Sequence, residues 1–384
     1  MPECFYRASS VFCDTGYNRK TLDSRLKIAG MTACEVFDLC QYNFETLNMS
    51  FKDILGHDRE IAILKKALSN DKVAHAFLFV GPEGCGKRLT ALSLAKSLNC
   101  STPKDDFCGE CPNCVDIENL SYTDVFVVEP REPEYKGGGV DHVSGTIKID
   151  AVRDVQQRLA YRAVRGGKKI CIVDGIDKMN RDAQNAFLKT LEEPPSDSVI
   201  ILIASDNGAI LQTIVSRCQR IFFGSLPQSI IVEILRQRLG VSEDTAKLIA
   251  AFSGGSVGRA LSFDIEYFIE QRKKMVEILS QLSIRDAERI FNAAEEIAKG
   301  DAPVESLEFL KMWYRDIAVL KEGREDIVIN SDLLPALRHH AQAQNFNKLM
   351  SGFKMIHQAQ VDIMPPRYAN KQLTIENLLL QLTV

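Results

Sequence analysis

No run of about 18 apolar residues occurs in this 384-residue sequence, which excludes a helix that spans a membrane. The opening residues lack a basic stretch followed by an apolar core, so no signal peptide is expected and the chain is expected in the cytoplasm. An excess of one charge is also missing. The formal net charge of −4 gives no global pull towards nucleic acid or a membrane surface, so any DNA contact must be local. No basic or aromatic-rich stripe supports a self-sufficient, zinc-dependent nucleic-acid-binding module. A hydrophobic fraction of 45% and a charged fraction of 26% are ordinary for a globular chain, and the length suggests two or three domains. Cysteine, by contrast, is plentiful at 11 residues.

The chain is organised around Ala76–Asn99, AFLFVGPEGCGKRLTALSLAKSLN. Ala76–Val80 reads as a buried parallel strand. Gly81-Pro-Glu-Gly-Cys-Gly-Lys87 is a glycine-rich turn, and an amphipathic helix follows with Ala91, Leu94, Ala95 and Leu98 on one face. Strand, Gly-x4-Gly-Lys and helix make a phosphate-binding loop. Gly81, Gly84 and Gly86 let successive backbone N–H groups face one concavity, the helix N-terminus adds partial positive charge, and Lys87 reaches the phosphates.

Two parts of a hydrolysis engine are absent. The loop normally closes with Ser or Thr, whose hydroxyl binds Mg²⁺; here the position is Arg88, a cation where a metal ligand belongs. Downstream, the apolar strand Lys169–Asp174 ends in the Asp that holds Mg²⁺ in such proteins. The next residue, where a Glu would orient the attacking water, is Gly175. Asp177 reads as a helix cap or surface acid, and would replace that base only if the turn bends sharply. ATP can bind such a loop, but its hydrolysis is not expected.

Four cysteines, Cys100, Cys108, Cys111 and Cys114, have spacing that suits tetrahedral Zn²⁺. Four protein ligands leave no open position, so the metal is expected to be structural. A disulfide framework is not expected in a cytosolic chain of this size.

Along the chain, residues 1–48 hold Cys4, Cys13, Cys34 and Cys40 and show no sustained period. They are expected to be a disordered or mis-called extension ahead of a start at Met49, the alternative being a real, partly ordered arm. Helices are expected at Asp58–Asn70, Ile149–Tyr161 and Asn180–Glu193, the last stopped by Pro194-Pro195. Further strands are expected at Val125–Val128, Val199–Ala204 and Ile221–Phe223, with a short helical stretch at Ala209–Val215. Glu132–Ile147, around Gly137–Gly139, reads as a mobile loop. Alternating apolar strands and helices mean an α/β fold with a covered parallel sheet. From Leu226 the pattern is helical, with breaks at Gly254-Gly255, near Gly300 and at Pro365-Pro366.

The order of these features resembles the AAA+ clamp-loader subunits of bacterial DNA polymerase III, the delta-prime type first and gamma/tau second. It is carried by the phosphate loop, the four-cysteine module, Ile172-Val-Asp174, Asn185–Pro195 (NAFLKTLEEPP), Ser216-Arg217-Cys218 and Gly254–Leu261 (GGSVGRAL). It is dense over residues 49–264 and weaker beyond. The resemblance implies a nucleotide-binding domain at 49–225 with the zinc module at 100–114, a helical lid at 226–264 and an all-α collar domain at 265–384. It implies that Arg217 is an arginine finger acting in trans on a neighbouring subunit's ATP. Ser205 would be sensor 1 and Arg259 sensor 2. Expected partners are gamma/tau and delta subunits, and through them the sliding clamp and primer-template DNA. A gamma/tau-like ATPase is the alternative, against which Gly175 speaks.

Overall fold

The computed structural model describes residues 50–102, 106–130, 145–281, 287–300, 303–343, 345–364, 367 and 369–383. Expectations for residues 1–48, for Gly137–Gly139 and for Pro365-Pro366 lie outside these. The chain divides into two units, one running to Arg238 and including Gly255–Arg259, the other Leu239–Gly254 with Ala260–Val384.

In chain order the first unit contains α1 (Asp58–Ser69), β1 (Ala76–Val80), α2 (Lys87–Asn99), α3 (Pro112–Glu118) and β2 (Val125–Val128). It continues with α4 (Ile149–Ala160), β3 (Lys169–Asp174), α5 (Arg181–Glu192), β4 (Ser198–Ala204), α6 (Gln212–Val215), β5 (Gln219–Phe222) and α7 (Gln228–Leu239). The strands form one sheet in the order β2-β3-β4-β1-β5, every pair parallel. Parallel neighbours require long crossovers, and the helices supply them. Alternate residues of β1 serve opposite faces. Phe77 and Phe79 join a core with Leu64 of α1 and Leu94 of α2, while Leu78 and Val80 join one with Val155 of α4 and Phe187 of α5. Both faces are thus dry, which is why the strands read as unbroken apolar runs.

Local chemistry sets the helix ends. Asn180 caps α5 by accepting from the Ala183 N–H (2.8 Å), and Pro194-Pro195 bars a further turn. Three expectations need correction. The helix before Ser216 is only Gln212–Val215, because Asn207–Leu211 forms a turn closed by Ile210 N–H on Asn207 O (3.4 Å). The last strand begins at Gln219, not Ile221, since main-chain pairing of Phe77 with Gln219 recruits two polar residues that face solvent at the sheet edge. Ile147, expected in a mobile loop, is 1% exposed and bridges to Met179.

The second unit is helical: α8 (Glu243–Phe252), α10 (Ile265–Gln281), α11 (Ala287–Lys299), α12 (Pro303–Lys321), α13 (Leu334–Ala343), α14 (Phe346–Ile363) and α15 (Lys371–Thr383); α9 (Val257–Ser262), between α8 and α10, straddles the division. Its core centres on Trp313, the only tryptophan in the sequence, whose Nε1–H donates to His340 Nδ1 (3.0 Å). The fully buried Asp316 accepts from Arg315, from the Ile329 and Asn330 N–H groups and from Asn330 Nδ2, so its charge is paired and its oxygens are satisfied.

Candidate functional site

Ligands of open parallel sheets bind beyond the carboxyl ends of the strands. Residues Gly81, Gly84, Gly86, Lys87, Arg88 and Asp174 gather there, after β1 and at the end of β3. Gly81 and Gly84 have no room for a side chain: a Cβ would stand 2.2 Å from Phe223 O at the first and 2.2 Å from Ser256 Oγ at the second. Lys87 is 5% exposed and its Nζ donates to the carbonyls of Gly81 and Pro82, both at 2.6 Å, so its charge is held within the loop's own concavity.

Arg88 lies between two acids. Its Nη1 pairs with Glu129 Oε1 and with Asp174 Oδ2, the latter at 3.5 Å. Glu129 was not singled out in the sequence. It follows Val128, whose ladder partner is Val173, so the pairing of β2 with β3 sets Glu129 beside Asp174. The carboxylate that would hold a metal therefore has a guanidinium as counter-ion. Gly175 takes φ +91°, a left-handed conformation that strains any side chain, and a Cβ there would meet Pro130 Cγ at 3.3 Å. The backbone as well as the side chain departs from what a glutamate base requires.

Ser205 is exposed just past β4. Its N–H and that of Asp206 donate to Asp177 Oδ2 (3.2 and 3.4 Å), so Asp177 orders this turn rather than capping a helix. Arg259 is exposed at the start of α9, its N–H donating to Ser256 Oγ (3.1 Å). The neighbouring Gly258 N–H donates to Gly84 O (2.9 Å), which holds the segment carrying Arg259 against the phosphate loop.

Arg217 is elsewhere. It precedes β5, whose first residue pairs with Phe77 near the start of β1. It thus sits at the amino end of the sheet, with most of β1, about 13 Å at 3.3 Å per residue, between it and the phosphate loop. Its Nη2 donates to Glu192 Oε1 (2.6 Å) and its Nη1 to Thr213 O (2.8 Å).

Cys100 ends α2, Cys111 caps α3 and Cys114 lies in its first turn. With Cys108 their sulfur atoms all lie within 4.8 Å of one another. Cys100 Sγ is 3.5 Å from Cys108 Sγ and 3.9 Å from Cys111 Sγ, against about 3.8 Å for tetrahedral bonds of 2.3 Å. The donor set fits a metal ion. Burial pulls the Cys111 thiol up, but hydrogen bonds from Ser101 and Cys114 outweigh it and bring the value down to about 6. Burial raises Cys114. The buried Lys96, also missed in the sequence, lies over the Phe107 ring at 5.1 Å and pairs with Glu118. Burial lowers its pKa, and the nearby Cys114 opposes this.

Residues 56–227 match the family model described as DNA polymerase III, delta subunit, and residues 266–383 the model described as DNA polymerase III, delta subunit, C terminal. DNA polymerase III subunit delta' of Bacillus subtilis (strain 168) is 31% identical over 289 residues, 74% of this chain and 83% of that protein. Subunit tau of the same organism is 29% identical over 297 residues, 71% of this chain, which spans only 50% of the relative. Among solved structures, a DNA polymerase III gamma subunit-related protein of Thermotoga maritima aligns over 83% of this chain and 97% of its own, at 18% identity with a TM-score of 0.36.

Proposed function

Because this chain belongs to the DNA polymerase III delta-subunit family, the clamp-loader family of delta-prime and tau-like subunits, we propose that it is a delta-prime-type subunit of a bacterial clamp loader. In this reading it gives an arginine finger to a neighbouring ATPase subunit of gamma/tau type and turns over little or no ATP itself. Delta and gamma/tau subunits are its partners, and through them it acts on the sliding clamp and primer-template DNA in the cytoplasm. The observation that carries the reading is the place of Arg217. A guanidinium at the amino end of the sheet cannot serve the phosphate loop at the carboxyl ends of the same strands, so the phosphate it serves belongs to another chain. A guanidinium fork suits phosphate oxygens better than a lysine would.

Within its own site, Lys87 and the glycine loop support binding of a nucleoside triphosphate. The Arg88–Asp174–Glu129 cluster and the left-handed Gly175 argue against its hydrolysis. Ser205 and Arg259 take the sensor positions at the rim. Cys100, Cys108, Cys111 and Cys114 hold one structural Zn²⁺; the metal cross-links the end of α2 to α3, and Lys96 offsets part of the thiolate charge.

The deciding experiment is Arg217→Ala in the reconstituted complex. Fingers supplied in trans are worth on the order of 10³ to 10⁵ in rate, so the turnover of one neighbouring site and clamp loading should collapse while assembly persists. Unchanged turnover per assembled complex, with a less stable chain, would make Arg217 a structural residue and overturn the reading.

A further inference from the structure

Arg217 rides on a turn whose backbone is closed at each step. Ser216 N–H donates to Gln212 O (2.9 Å), Arg217 N–H to Ile214 O (3.0 Å) and Cys218 N–H to Val215 O (3.4 Å). Ile214 and Val215 are buried in the sheet's core on one side of the arginine, and the half-buried Cys218 packs against the same core on the other. Burial pushes the Cys218 thiol up to about 12, so it packs as a neutral wedge and is no nucleophile. The Cα of Arg217 is therefore fixed, and what remains free is the long side chain, which carries large rotamer entropy.

Two contacts restrict it, Thr213 O and the Glu192 carboxylate. Glu192 is in the last turn of α5 and Glu193 is its C-cap. Carboxylates are disfavoured at that end of a helix, where the macrodipole is negative. The ion pair with Arg217 removes this conflict for Glu192, whose carboxylate has no other partner among the described residues. The guanidinium has five N–H donors, of which these contacts use two. Three remain, so it can stay anchored while it meets a phosphate.

We propose that Glu192 is a positioning residue: it holds the Arg217 guanidinium in one rotamer, ready to meet the phosphate of the neighbouring subunit. This rests on the reading of Arg217 as a finger. The carboxylate also cancels part of the guanidinium's charge. For a half-exposed pair in water that loss is small, whereas a group aligned before the transition state needs no ordering when it forms.

The test is a double-mutant cycle in the complete, reconstituted clamp loader, read as kcat and KM for ATP with assembly and thermal stability measured in parallel. Glu192→Gln should lower kcat about 3- to 10-fold with KM and assembly unchanged, and Glu192→Asp should lose less. In an Arg217→Ala background, Glu192→Gln should do nothing further, because a residue that acts only through Arg217 has nothing left to position. An equal loss in both backgrounds, or wild-type kcat for Glu192→Gln beside a crippled Arg217→Ala, overturns the positioning role and leaves the finger standing. Wild-type turnover for Arg217→Ala removes the finger, and the role of Glu192 with it.

Discussion

Arg88 is a counter-ion that cannot leave. A metal at this position would compete with solvent and chelators, whereas a tethered guanidinium stays at an effective concentration on the order of millimolar or higher. Freeing Asp174 with Arg88→Thr should therefore create Mg²⁺ affinity that the wild type lacks, readable by calorimetry with and without nucleotide. Adding Gly175→Glu should not restore turnover, because the φ of +91° costs a side chain about 1–3 kcal/mol. Vigorous hydrolysis by the double variant would show that the backbone relaxes and that the missing base alone had silenced the site. His340 gives a second prediction. Its Nδ1 accepts from Trp313, so the ring is held neutral, and burial, with His339 adding to it, lowers its pKa. The folded chain thus binds fewer protons than the unfolded one. Its stabilising effect is complete above the unfolded value of about 6.5 and is lost as pH falls from there towards the lowered folded value. His340→Gln, which keeps an acceptor without that titration, should show a flatter fall in urea midpoint between pH 7.5 and 5.5; an identical slope would assign the pH dependence elsewhere.

In the proposed reading the cysteine module is the element that a ligand would stabilise. It sits between α2 and α3, and Phe107 and Cys114 belong to the core on one face of the sheet. Structural zinc contributes on the order of 10 kcal/mol to small modules. Cys111→Ser should accordingly loosen residues 100–120, seen as faster amide exchange there, while β1, β3 and β4 stay protected. One zinc per chain by elemental analysis is the companion result, and its absence from carefully prepared protein would end the assignment. The module, the phosphate loop and strands β1 to β4 were legible in the sequence because each is written locally, in spacing or in an unbroken apolar run. What was not legible depends on partners far along the chain. Glu129 acquires its role from the β2–β3 register, Asp177 from the turn after β4, and Glu192 from a guanidinium 25 residues away. The start of β5 was missed because edge pairing is made by the main chain, whatever Gln219 and Arg220 carry.

At the scale of the molecule, the two units should report separately. The only tryptophan lies in the second unit and the cysteine cluster in the first. Urea unfolding followed by Trp313 emission should be unmoved by Cys111→Ser, while far-ultraviolet dichroism shows an earlier loss; coincident shifts would mean that the units unfold as one. The sheet also gives the chain a direction. Its amino end carries Arg217, and its carboxyl ends carry the glycine-rich loop with Arg88 paired to Asp174. Contacts between unlike ends are heterologous, and a string built from them continues as long as each member both gives and receives. Under the proposed function this chain would give a finger but have little to receive one with, so it would terminate such a string, and only at one end. On the same reading two copies facing each other would gain nothing, since one would offer a finger to a cleft with no chemistry to speed. On that reading the purified chain on its own should stay catalytically silent at every concentration, and the polarity of the assembly would follow in part from an arginine at the position where a metal-binding hydroxyl is usual.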